Sequence, residues 1–344
     1  MRMALVASLL LVVGGCGHSA GNNSDGGGGA GGGGTGGSGG GGTGGGGGGG
    51  GGGSVGGPIS VSIGPIPVAA GQETTVCTIQ RLPTTADIDV VNIATTLAPG
   101  SHHLIAYRSN ATAESTTPTA CNSFQGVLDG EAPIFIADAA SQAMQLPDGV
   151  AYHFPAGQMI RLEAHYLNAT QTAVQGMGTI TFTPGPAMTY QAADIMMCGN
   201  VTSLQCPAGG LSPGMSNVAL PVGKYTGGNG VDFTKLNVFA FTTHEHHRGL
   251  DVKIWKSTSS NPMATQLLDN PDWSNPQLKV LDTANVLSFQ PGEGLAWQCT
   301  YNTSSDTSKV CFGESGQTNE MCFIWAYYYP SVGRFISTGD CWNN

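Results

Sequence analysis

The sequence predicts an all-β protein, and three observations carry that expectation. Short apolar or alternating runs recur at 59–66, 89–93, 159–167, 178–182, 236–243, 250–255 and 321–329. β-Branched and aromatic residues fill them, and clusters of Gly, Pro, Asn and Asp separate them. No stretch shows three turns of amphipathic helix; 134–144 comes nearest to one. Many short strands with turns between them build sandwiches or barrels. Pro184-Gly185-Pro186 breaks the pattern near the middle, which divides the folded region into two all-β units, 58–184 and 185–344.

The chain begins with an address. Arg2 precedes the apolar run 4–13, too short to span a bilayer and shaped like a secretory h-region. Small residues then lead into Cys16, an order that resembles the lipobox of bacterial lipoproteins. Residues 1–15 are thus expected to be a signal peptide, and Cys16 the lipidated residue of an exported protein anchored in a bacterial envelope. Much of the chain's 55 glycines falls in the stretch 26–57. Such a stretch buries too little apolar surface to offset its ordering entropy. Residues 16–57 therefore read as a lipidated Cys and a flexible linker, whose stretch 21–57 has an expected span of roughly 30–37 Å and lifts the folded region off a membrane. Lys and Arg number 12 against 22 Asp and Glu, for a net charge of −10. No basic stripe exists to neutralise phosphates, which argues against a nucleic-acid partner.

Beyond Cys16, eight cysteines remain: Cys77, Cys121, Cys198, Cys206, Cys299, Cys311, Cys322 and Cys341. An even number in an exported chain predicts disulfides, and no CxxC pair supports a zinc ribbon or a thioredoxin-like site. Sequence alone does not choose the pairing.

The histidines carry the chemistry. His244-Glu245-His246-His247 closes a strand pattern, so His244 and His246 project from one face and His247 from the other. His102 and His103 are adjacent, and both reach one ion only at an irregular strand end or by using different ring nitrogens. His165 lies on the polar face of an alternating run. His18 and His153 have no such setting and read as non-ligands. Met321 opens the apolar run 321–329; beside two imidazoles, its soft thioether would select copper, particularly Cu(I), over zinc.

Four motifs stand in order: His102-His103; His165-Tyr166; His244-Glu245-His246-His247-Arg248-Gly249; and Glu320-Met321-Cys322 with Tyr328-Tyr329-Pro330. That order resembles the copper type II, ascorbate-dependent monooxygenases. The resemblance implies two tandem antiparallel jelly-roll sandwiches, with two coppers facing each other across a solvent cleft. It makes His102, His103 and His165 the ligands of an electron-donating copper. His244, His246 and Met321 become the ligands of the copper where oxygen and substrate react. It pairs Cys77 with Cys121 and Cys299 with Cys322, takes Cys341 back to Cys198 or Cys206, and leaves Cys311 open. It also implies O2, ascorbate or another one-electron reductant, and a small organic or peptide-like substrate.

One departure bears on substrate. In peptide-hydroxylating members, an Arg before the His-x-His pair and an Asn and a Tyr after the Met hold the peptide carboxylate. Thr242, Phe323 and Trp325 stand there in this sequence. The clamp is missing, and the wall beside the second copper is apolar and aromatic. Two other readings compete: zinc hydrolysis, which gives Met321 no role, and a non-enzymatic copper-binding envelope lipoprotein.

Overall fold

A computed structural model describes residues 56–341. The expected signal peptide, the lipidated Cys16, His18 and nearly all of the Gly-rich linker lie outside the described residues. The described chain is almost entirely strands, so the all-β expectation holds.

Two sheets are built from residues 59–192. One runs in the order Ser115–Ala120, Glu73–Arg81, Met159–Leu167, Ser101–Arg108, Ala132–Ala137. The other runs Ile59–Val68, Val174–Pro184, Ile88–Leu97, Val150–Phe154, Gln191–Ala192, with Ser141–Gln145 also paired to Ile88–Leu97. Gln191–Ala192, past the Pro184-Gly185-Pro186 break, thus still pairs with strand Val150–Phe154. Two further five-stranded sheets use residues 194–329. The first contains the sequence Asp194–Gly199, Phe323–Tyr329, Asn237–His244, and the second contains Gly294–Tyr301 beside Gly249–Ser257.

The region 134–144 forms no helix: it is divided between strands Ala132–Ala137 and Ser141–Gln145. Ile134, Phe135, Ile136 and Ala137 are all fully buried. A strand covered on both faces reads as a continuous apolar run, which periodicity alone does not separate from a buried helix.

Strand Phe323–Tyr329 positions the site because its two faces serve two cores. Successive side chains on a strand point to opposite sides. Ile324, Ala326 and Tyr328 enter a core that includes Met196, Phe241, Trp297 and Tyr301. Phe323, Trp325 and Tyr327 enter a core shared with Tyr107, Ile136, Tyr152 and Phe154 from the first sheets. Tyr327 fixes that shared face further, because the backbone N–H of Ile136 donates to its hydroxyl at 3.2 Å. Met321 belongs to the same core. Four disulfides cross-link the described chain: Cys77–Cys121, Cys198–Cys341, Cys206–Cys311 and Cys299–Cys322. Cys341 therefore takes Cys198, and Cys311 takes Cys206.

Candidate metal centre

His102 and His103 stand at the start of strand Ser101–Arg108, against the central strand Met159–Leu167. Pairing runs from Ser101 opposite Tyr166 directly to His103 opposite His165, so the register slips at His102. A β-bulge re-aims a side chain in this way. It brings the adjacent rings of His102 and His103 to one place, with centroids 5.2 Å apart. Gly100 starts the irregularity in a left-handed conformation, φ +85°. On the other side, His244 ends strand Asn237–His244 opposite Phe323, and His246 follows in the turn closed by Gly249 N–H donating to its carbonyl at 2.8 Å.

These residues converge. The rings of His102 and His165 are 5.2 Å apart, and those of His103 and His165 5.0 Å. His102 lies 5.2 Å from His244 and 5.6 Å from His246, while His103 lies 5.0 Å from His244. His244 and His246 are 5.3 Å apart. The most exposed of the five rings, His102, is only 7% accessible.

Every one of the five rings has a buried nitrogen without a hydrogen-bond partner: Nε2 of His102, both nitrogens of His103, Nδ1 of His165, and Nε2 of His244 and His246. An orphaned buried polar atom costs about 1–3 kcal/mol, so the cluster is expensive unless something binds those lone pairs. On three of the rings the opposite nitrogen is occupied. Glu73 Oε1 meets His165 Nε2 at 2.9 Å, Asp138 Oδ1 meets His244 Nδ1 at 3.2 Å, and the Asn319 carbonyl meets His246 Nδ1 at 3.2 Å. Such partners fix the tautomer and aim the free nitrogen, the usual support of a metal-bound imidazole. Three groups each offer ligand atoms within 4.8 Å of one another: His102, His103 and His165; His102, His244 and His246; and His103, Asp138 and His244. The donor set therefore fits a metal of imidazole preference, copper included.

Electrostatics keep the rings in the ligating form. Burial, then the neighbouring imidazoles, hold His102, His103 and His246 well below the usual histidine range. Burial raises Asp138, opposed by its hydrogen bond with His244. Burial also pushes Glu320 to about 7, against the backbone N–H groups of Arg248, His246 and Met321. For Glu73, burial alone would raise the carboxyl, but hydrogen bonds from His165, Ser315 and Gly316 outweigh it and lower it.

Met321 is buried beside this turn. Glu320 accepts from the N–H groups of both His246 and Arg248 at 2.9 Å, which pins the residue before Met321 to the His246 turn. Cys322 after it is bonded to Cys299, and the Tyr301 hydroxyl donates to the Met321 carbonyl at 2.7 Å.

A family model for the copper type II ascorbate-dependent monooxygenase C-terminal domain matches residues 213–340. This stretch of the chain is thus similar to the C-terminal domain of that monooxygenase family. It is similar to the human putative DBH-like monooxygenase protein 2, 24% identical over 67% of this chain and 47% of that protein. Tyramine beta-hydroxylase of Caenorhabditis briggsae is 31% identical over 28% of this chain and 16% of its own length. Bovine dopamine beta-hydroxylase is 29% identical over the same shares, 28% and 16%. The chain thus spans less than half the length of these curated relatives.

One feature that this similarity implies differs. The two histidine sets do not face each other across a solvent cleft; they form one buried cluster. The residues at the clamp positions are covered too. Thr242 is fully buried opposite Trp325, and Phe323 and Trp325 are 3% and 0% accessible. Phe124 closes over them, its ring 5.7 Å from Phe323 and 6.2 Å from Trp325, and also 6.3 Å from His103. Half-buried Trp273 stands on the other side, 6.0 Å from His102 and 6.3 Å from His247. His247 is exposed, its Nδ1 at the Gly316 carbonyl, and exposed His153 pairs with Asp87 and Asp89. Asp138, Glu73, Phe124 and Trp273 are the residues sequence reasoning missed. None carries a local signal, since each meets the cluster only through tertiary contacts.

Proposed function

We propose that the chain is a dicopper monooxygenase that hydroxylates a C–H bond of a small organic or peptide-like substrate. The observation that carries the reading is the buried set of five imidazoles with unpartnered nitrogens, in the motif order of the family, with Glu320, the residue before Met321, bound to the backbone of the His246 turn. His102, His103 and His165 would hold one copper, and His244, His246 and Met321 the other. Bound there, copper supplies one-electron redox chemistry: one oxygen atom of O2 enters the C–H bond and the other leaves as water, with two electrons and two protons drawn from ascorbate or another reductant.

The chain's own residues do the rest. Glu73 and Asp138 hold His165 and His244 with their free nitrogens inward. Phe124, packed over Phe323 and Trp325, excludes water from the His244 side. No Arg, Asn or Tyr stands at the clamp positions, so a peptide carboxylate finds no partner in Thr242, Phe323 or Trp325. Copper-loaded protein with ascorbate is expected to leave peptidylglycine unhydroxylated above background. Two domains, 58–184 and 185–344, would each contribute one copper site. An exported, disulfide-bonded chain suits this chemistry, and lipidation of Cys16 would tether it to a bacterial envelope; palmitate incorporation that persists in Cys16→Ala would disprove the anchor.

The decisive variant is Met321→Ala. It should abolish turnover while preserving the fold and the copper of the His102, His103 and His165 set; normal hydroxylation would overturn the site assignment. A second reading, a copper-binding lipoprotein without catalysis, draws on the near-complete burial of the rings and the missing clamp. An oxygen electrode separates the two, because a pure binding protein takes up copper with no substrate-dependent oxygen consumption.

A further inference from the structure

We propose that His102 is a shared ligand, and that the first copper to bind is held by His102, His244 and His246 across the two parts of the chain. The identity of the metal rests on the dicopper reading above; the ligand set does not.

The rings form two triangles with one common corner. His102, His103 and His165 have sides of 5.2, 5.2 and 5.0 Å. His102, His244 and His246 have sides of 5.2, 5.6 and 5.3 Å. In each triangle the ligating atoms lie within 4.8 Å of one another. The second triangle takes one ring from the sheet of strand Ser101–Arg108 and two from the end of strand Asn237–His244, which lies in a different sheet.

Preorganisation favours the crossing set. Two of its three rings already have a fixed tautomer, His244 through Asp138 and His246 through the Asn319 carbonyl. All three offer a buried, unpartnered Nε2. In the other triangle only His165 is fixed, and His103 has both nitrogens unpartnered, so it must select a tautomer when metal arrives. The third group, with Asp138, substitutes a hard carboxylate oxygen that suits Cu(I) poorly. Since the unpartnered nitrogen of His102 completes only one triangle at a time, a second ion would draw it to His103 and His165. Met321 would then replace it beside His244 and His246. Copper binding is thereby a sequence: a closed one-ion state with nitrogen ligands alone, then a two-ion state that recruits sulfur.

The test titrates the full metal-free chain with Cu(I) under anaerobic conditions, in competition with a chromophoric Cu(I) chelator. His102→Ala and His246→Ala should each lower first-ion affinity by about 100-fold, and His165→Ala by less than about threefold. Two independent sites cannot give that pattern, because loss of one leaves the other to bind the first ion. Unchanged first-ion affinity in either His102→Ala or His246→Ala overturns the proposal. X-ray absorption of the unsubstituted protein gives a check free of folding effects: no sulfur ligand at one equivalent and a sulfur ligand at two. Sulfur at one equivalent overturns it as well. Neither measurement reads substrate turnover, so absence of substrate-dependent oxygen uptake would remove the oxygenase reading and leave the shared ligand standing.

Discussion

Asp138 shows what a single residue does for this cluster. Its Oδ1 holds His244 Nδ1, across 106 residues of sequence, and Oδ2 is buried without a partner. Asp138→Ala frees the His244 ring to rotate and should lower copper affinity by about 10–100-fold, measured by chelator competition. Retained affinity would show that packing alone orients the ring. The six proposed ligands were legible because each sits in a short motif with its neighbours. Asp138, Glu73 and Phe124 were not, because nothing beside them in sequence distinguishes a supporting carboxylate or a covering ring from ordinary surface and core. Acid–base behaviour also belongs at this scale. Burial raises Glu163 and Glu320 from 4.5 to about 7, despite backbone N–H donors to each. The folded state therefore holds protons that the unfolded chain releases near 4.5, and stability is lost as pH rises through about 7. The lowered rings of His102, His103 and His246 act oppositely, but only below about pH 6.5, where the unfolded chain would protonate them. The melting temperature of the metal-free protein should fall between pH 6.5 and 8; a flat or rising profile would contradict those ionisations.

Among the elements, the bulge at His102 matters most. Strict alternation would send His102 and His103 to opposite faces, and an irregular strand end was one of two ways, beside the use of different ring nitrogens, in which both could serve one ion. The register slip between Ser101 and His103 supplies it. Gly100 makes it possible: its φ is +85°, and a Cβ there would come within 2.7 Å of Val174 Cγ2. Gly100→Ala should cost about 1–3 kcal/mol in urea denaturation and weaken copper binding with it. A neutral effect would place the bulge elsewhere. The strand 323–329 was legible for the opposite reason, since its apolar run and the shared face of Met321, Phe323 and Trp325 follow from period two. Region 134–144 comes nearest to a helical pattern in the sequence because a strand buried on both sides lacks that alternation.

At the scale of the whole molecule, turn chemistry and strand patterning were enough to give the all-β class. What they could not give is the closure. The burial of five rings in one cluster depends on how strand Phe323–Tyr329 inserts Phe323, Trp325 and Tyr327 among residues of the first sheets. That is a long-range packing outcome, set by complementarity between two surfaces and not by any local period. The same closure links metal to stability, because an ion bound between strands of different sheets favours the folded state over the unfolded one. The most direct test counts copper in the saturated, desalted protein by mass spectrometry of the metal. Two ions per chain are predicted, falling to one when His165 is replaced by Ala; a chain that retains no copper, or the same amount without that ring, would contradict the account.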